Sequence, residues 1–279
     1  MTPIRFPRPN GSAKTRAMLR PAFRPFAALA LASIVASGLA GCASTKNKAD
    51  TTYIAQDVDT LYNLARERFD RRQYKMAAAI FDEVERQHPY SIWARRAQLM
   101  SAFSYYLARE YQSSIESSRR FLSIHPGNRD APYAYYLIAV SYYEQISDVN
   151  RDQKLTAQAQ DALGELVRRY PDTRYAADAR IKLDLVRDHL AGKEMEVGRF
   201  YQRRGNWIAS VIRFRKVSED YQTTSHAPEA LMRLTESYLA LGLPDEARKT
   251  AAVLGTNYPG SKWYDHAYEI VTTKKPRGA

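Results

Sequence analysis

Five times along this chain an apolar helical pattern is followed, at a near-constant interval, by a second one and then by a turn. The turn residue is proline at Pro89, Pro126, Pro171 and Pro259, with Gln222 in the remaining equivalent place. In the first unit Leu61, Leu64 and Ala65 precede Ala77, Phe81 and Pro89; in the last, Leu231, Leu234 and Tyr238 precede Ala247, Leu254 and Pro259. A small residue recurs in each first helix, at Ala65, Ala102, Ala139, Gly198 and Thr235. Another recurs in each second helix, at Ala77, Ser114, Ala159, Ser210 and Ala247. A helix pair cannot bury its apolar face alone. Stacking of neighbours supplies the core and leaves a concave surface for a partner, so the repeats point to a scaffold or receptor.

The layout resembles the tetratricopeptide repeat, whose period is roughly 34 residues. That resemblance implies an all-α, tetratricopeptide-like superhelix of five helix-turn-helix repeats (an α-solenoid), over about 55–89, 92–126, 131–171, 173–222 and 227–259. An amphipathic segment at 262–271 is expected to cap the stack, because an end repeat must present a polar outer face. The chain thus divides into an N-terminal half, 55–172, with three repeats, and a C-terminal half, 173–271, with two repeats and the cap; 272–279 reads as a disordered tail.

Two departures from regular spacing bear on shape. Between Ala139 and Ala159 the small positions are eight residues further apart than elsewhere, and the polar run 145–153 that fills the gap predicts a protruding loop. Between Pro171 and Gly198 there are about fourteen extra residues. Ala176, Ala179, Leu183, Val186 and Leu190 continue one helical face through them, which predicts a single helix over 175–204, around 45 Å long at about 1.5 Å per residue. Gly192 opposes it by about 1 kcal/mol. Unbroken, the helix is a rigid strut between the halves; broken at Gly192, it lets them hinge.

The amino terminus is a secretory signal. Residues 1–41 hold Arg5, Arg8, Lys14, Arg16, Arg20 and Arg24 and no acid, and the apolar stretch 26–40 is too short for a span of about 20 residues. It ends in Leu39-Ala40-Gly41-Cys42, which resembles the bacterial lipobox. Cys42, the chain's single cysteine, is therefore assigned as the lipid attachment point. Residues 42–54 read as a lipidated N-terminus and flexible tether. By resemblance to lipoprotein sorting, the absence of aspartate at Ala43 places the anchor in the outer membrane, on its periplasmic face. Removing the signal lowers the formal charge from +12 to 36 Lys and Arg against 30 Asp and Glu, or +6. So mild an excess on a secreted chain argues against nucleic acid and suits anionic lipid or an acidic protein.

Equivalent positions on the first helices give a chemical profile of the groove. One row is Tyr62, Leu99, Tyr136, Met195 and Met232; the next is Arg66, Phe103, Val140, Arg199 and Glu236. A third is Phe69, Tyr106, Tyr143, Gln202 and Leu239, and a fourth is Asp59, Arg96, Tyr133, Gly192 and Glu229. Aromatics crowd the first three units and vanish from the last two. Tyr62, Phe69, Phe103, Tyr106, Tyr133, Tyr136 and Tyr143, with Arg66 and Arg96, suit an extended peptide offering an aromatic side chain and a carboxylate, through stacking and bidentate charge-assisted bonds. Alternatively, the same tyrosines pack between first helices.

In the C-terminal half, Arg199, Arg203, Trp207 and Arg213 cluster around the turn Gly205-Asn206-Trp207. Trp and Arg are enriched at the energetic centres of interfaces, whereas arginines on an exposed helix also form plain solvated faces. Enzymatic signatures are missing from the sequence. The five histidines are scattered, with no HExxH and no cysteine pair. No phosphate loop, cofactor motif or metal set is found. Adjacent acids such as Asp82 and Glu83 point to different sides of a helix.

Three strings carry a more specific likeness: Asp130-Ala131-Pro132-Tyr133-Ala134-Tyr135-Tyr136-Leu137; Tyr170-Pro171-Asp172-Thr173-Arg174-Tyr175-Ala176-Ala177-Asp178-Ala179; and Val197-Gly198-Arg199-Phe200-Tyr201 leading to Gly205-Asn206-Trp207. With the lipobox and the repeats, the chain resembles the BamD (ComL) family of outer-membrane protein assembly factors over nearly all of its mature length. The resemblance implies a non-enzymatic, lipid-anchored subunit of the β-barrel assembly (Bam) machinery. Its implied partners are a BamA-like barrel subunit, bound at a periplasmic domain through the C-terminal half, other Bam lipoproteins, and unfolded barrel proteins recognised at their C-terminal strand signal. It also implies that Arg213, in the helix after the Gly-x-Trp turn, couples to the barrel subunit. The alternative is a tetratricopeptide scaffold lipoprotein of the cell-envelope division or peptidoglycan machinery.

Overall fold

The computed structural model describes residues 57–273. The signal peptide, Cys42 and the tether lie outside them, as do residues 274–279. Among the described residues every regular element is a helix. These are α1 (Val58–Asp70), α2 (Tyr74–Gln87), α3 (Ile92–Leu107), α4 (Tyr111–Ile124), α5 (Ala131–Tyr143), α6 (Lys154–Arg169), α7 (Arg174–Arg203), α8 (Trp207–Asp220), α9 (Ala227–Ala240), α10 (Pro244–Asn257) and α11 (Lys262–Thr273). Consecutive helices pack pairwise. First helices also meet across the pairs, α1 with α3, α3 with α5 and α5 with α7. This is the stacked tetratricopeptide superhelix, capped by α11 against α9 and α10. The cap runs to Thr273, two residues past its expected end at Val271.

The repeat is visible in the backbone. His88, His125, Tyr170, Tyr221 and Tyr258 each end a second helix, and each donates its N–H four residues back, to Val84, Phe121, Leu166, Val217 and Leu254. All five acceptor residues are wholly buried. Each cap's carbonyl then accepts from the N–H three residues on, at Ser91, Asn128, Thr173, Thr224 and Ser261. Proline after the cap biases it away from the α region. Tyr221, followed by Gln222, nevertheless takes a similar conformation (φ −127°, ψ 38°, against −129°, 58° at His125), so stacking imposes the turn where proline does not. Ser91, Thr173 and Ser261 then cap the next helix through their hydroxyls.

The small positions explain the close approach. Ala65, Ala102, Ala139, Gly198 and Thr235 are buried, as are Ala77, Ser114, Ala159, Ser210 and Ala247. At Gly198 the approach is especially tight, because a Cβ there would lie 2.4 Å from the Phe214 ring.

Helix α7 is a single helix of 30 residues, unbroken at Gly192. Its first half packs against α6 and α5, and its second against α8. Gly192 is buried where a Cβ would come within 3.2 Å of His226 Nε2, so its helix cost is offset by that close packing. The loop after α5 does not protrude. Val149 faces Gly192, Ile146 packs on the core, and Lys193 Nζ donates to the Asn150 carbonyl at 3.3 Å, so the extra residues fold back on α7. Gln153 holds the loop's shape by donating to the carbonyls of Asp148, Val149 and Arg151.

Candidate functional site

The apolar rows on α1, α3 and α5 come together as one wall of rings. Tyr74 meets Phe69 at 5.4 Å between centroids, Phe69 meets Phe103 at 5.8 Å, and Phe103 meets Tyr133 at 6.2 Å. Tyr133 and Tyr136 both meet Tyr175 of α7, at 5.4 and 5.3 Å. These are edge-on and tilted contacts of the kind aromatic rings prefer. The rings of Phe69, Phe103, Tyr106, Tyr133, Tyr136 and Tyr143 are half-buried, packed on their neighbours with one side open. Tyr62 is buried against Phe81 and Trp93.

Polar groups fix the far end of the wall. The Tyr136 hydroxyl donates to Asp178 Oδ2 at 2.8 Å, and Lys182 Nζ donates to the same carboxylate while lying 5.6 Å above the Tyr143 ring. Burial raises the Asp178 carboxyl, but the bonds from Lys182 and Tyr136 outweigh it and hold it below its ordinary value. Tyr106 donates to Glu144 Oε1, and burial together with that carboxylate pushes its phenol up to about 12. Burial likewise raises Tyr133 and Tyr136. All three phenols are neutral at physiological pH.

At the near end, Arg66 and Arg96 flank Tyr62. Burial raises the Tyr62 phenol, and both guanidiniums pull against that rise. Arg96 lies over the Trp93 ring at 5.6 Å. Both arginines are exposed and neither has a carboxylate partner among the described residues. Two guanidiniums without a carboxylate partner among the described residues stand beside the aromatic wall, and such groups can donate paired bonds to a carboxylate.

Tyr74, Tyr175, Asp178 and Lys182 belong to this wall and Trp93 to its Tyr62 end, and none of them lies at a position that the repeat spacing marks. With Gly198 as the small residue of the fourth unit, the groove positions of that unit fall at Gly192, Met195, Arg199 and Gln202. The first half of α7, which those extra residues build, is what closes the wall.

The C-terminal cluster separates. Arg199 is locked in place, donating from Nε and Nη2 to Glu229 at 3.0 and 2.8 Å and from Nη1 to Glu196. Arg213 donates to Glu194 on α7 at 3.0 Å, beside Lys216 at 2.8 Å. Arg203 and Trp207 line a different cleft of about 400 Å³ with Gln202, Arg233, Glu236 and Leu239. No helix among the described residues is long and apolar enough to cross a membrane.

Residues 54–254 match the YfiO family model, described as outer membrane lipoprotein. A relative from Caulobacter vibrioides named outer membrane protein assembly factor BamD is 48% identical over 256 residues, 92% of this chain and 84% of its own length. One of the same name from Rickettsia prowazekii is 47% identical over 84% of this chain and 92% of its own. Among solved structures, a MamA protein aligns with 73% of this chain and 96% of its own at 17% identity and a TM-score of 0.36.

Proposed function

This chain belongs to the YfiO family of outer membrane lipoproteins, and from that premise we propose that it is a subunit of the machinery that assembles β-barrel proteins in the outer membrane, anchored on the periplasmic face by acyl chains at Cys42. The names of its relatives support this reading. Its N-terminal groove captures the C-terminal strand signal of an unfolded barrel protein. Its C-terminal half docks on the periplasmic domain of a BamA-like subunit, with Arg203 and Trp207 open for contact and Arg213 held ready by Glu194.

The observation that carries the substrate assignment is the pair Arg66 and Arg96, without carboxylate partners and flanking Tyr62 at the end of the aromatic wall. A terminal carboxylate completes their charge while the neighbouring side chains of an extended segment lie on the half-buried rings. The unbroken α7, packed on both halves, supports communication between substrate and partner sites; couplings of about 1–3 kcal/mol are usual for such linkage. A peptide titration of Arg66→Ala, Arg96→Ala and Tyr136→Ala tests the groove. Each substitution is expected to weaken binding, and affinity unchanged in all three removes the assignment. Recovery of division proteins in place of a barrel subunit from solubilised envelopes would transfer the chain to the scaffold alternative.

A further inference from the structure

The turn end of the first two repeats exposes what a folded chain ordinarily buries. Tyr90 is fully exposed at 101%, Ile92 at 73% and Ile124 at 54%, and together with Arg95 they line one cleft of about 410 Å³. A second cleft at the start of α3 shares Ile92 and Arg95 with it and adds Arg129, and it borders Trp93 and Arg96 of the groove's near end. Arg95 has no carboxylate partner among the described residues, and Arg129 has only a loose approach to Asp130 at 3.9 Å. A tyrosine, two isoleucines and two under-neutralised arginines on one edge form the mixture that sits at a lipid interface, where rings and aliphatic chains enter the headgroup layer and guanidiniums meet phosphate.

The place of this edge in the fold selects the occupant. Because α1 and α2 are antiparallel, the end of α2 that leads to Tyr90 lies at the same end of the pair as Val58, the start of α1. The chain that joins Cys42 to that end is the fifteen residues 42–56, which span at most about 50 Å. The chain from Cys42 therefore enters α1 at the end of the first helix pair that carries the exposed patch.

We propose that this edge, built from Tyr90, Ile92, Ile124, Arg95 and Arg129, is a membrane-contact surface that lies on an anionic phospholipid leaflet. It orients the tethered superhelix with its first two repeats against the bilayer. The proposal takes the anchor position from the functional reading above, but the contact itself does not need the acyl group, so the two are tested separately.

The test uses the mature chain, residues 42–279, with Cys42→Ser so that no acyl chain is present, floated with vesicles of phosphatidylcholine alone or containing phosphatidylglycerol. Binding is expected only with phosphatidylglycerol and to fall with added salt. Arg95→Glu with Arg129→Glu should weaken it at least about tenfold, as should Tyr90→Ser with Ile92→Ser. Arg72→Glu with Arg109→Glu, the same charge change at the opposite turns of the same repeats, should leave it nearly unchanged. Circular dichroism establishes that each variant is folded. Absence of phosphatidylglycerol-dependent binding overturns the proposal, as does an equal loss in the Arg72 and Arg109 control. Edge variants that weaken peptide binding but not vesicle binding overturn it too, because the edge then belongs to the groove. Acylation of Cys42, read by mass spectrometry, stands or falls independently of all these outcomes.

Discussion

The hydroxyl of Tyr136 on α5 donates to Asp178 Oδ2 on α7 at 2.8 Å, joining the last first-helix of the N-terminal half to the helix shared by both halves. The same ring packs on Tyr175, so one side chain both builds the aromatic wall and pins it to α7.

These two roles separate by substitution. Tyr136→Phe keeps the ring and removes the donor, and it is expected to cost about 1 kcal/mol of stability while peptide affinity is retained. Tyr136→Ala loses the ring as well and is expected to lose affinity. Denaturant unfolding beside peptide titration reads both effects.

Gly198→Ala places a methyl group 2.4 Å from the Phe214 ring, which is wholly buried. Overpacking of this kind costs roughly 1–3 kcal/mol. Thermal unfolding is expected to show that loss. Adding Phe214→Leu should recover part of it, because the smaller side chain vacates the space the methyl group needs.

Glu194 sets an acid limit. Burial pushes its carboxyl up, but bonds from Lys216 and Arg213 outweigh burial and hold it below the ordinary value of 4.5. Glu229 is held down in the same way by Arg199 and Arg233. A carboxyl depressed by folding contributes stability that is fully present above its unfolded value and is lost as pH falls through the folded one. Stability measured by denaturant from about pH 6 down to about pH 3 should therefore fall through this range. Glu194→Gln should lower the neutral plateau and make the acid fall shallower.

The fold was legible because its signal is repeated. Small residues at fixed separations and a turn after each pair place all five units, and buried Ala65, Ala102 and Ala139 occupy equivalent positions in the first three. The extra residues were harder to read. The run 145–153 is polar, and polarity gave no sign that Val149 and Lys193 would draw it onto α7. In the site, Tyr62, Phe69, Phe103, Tyr133 and Tyr136 were found from periodicity on their own helices. Tyr175 and Asp178 were missed because α7 serves two neighbours in succession, and one alignment of it shows only one of its working faces. Arg199 carries the same arginine signal as Arg203, but pairing with Glu229 depends on a residue thirty positions away that no local pattern reveals.

The most direct measurement compares two peptides that differ only at the C-terminus. A barrel-strand peptide ending in an aromatic residue is titrated against the mature chain, once as the free carboxylate and once as the amide. The carboxylate form is expected to bind at least about tenfold tighter, since a charge-assisted bidentate bond is lost in the amide, and Arg66→Ala with Arg96→Ala is expected to erase the difference. Equal affinity for the two forms, or a difference that survives loss of both arginines, would contradict the assignment of the groove.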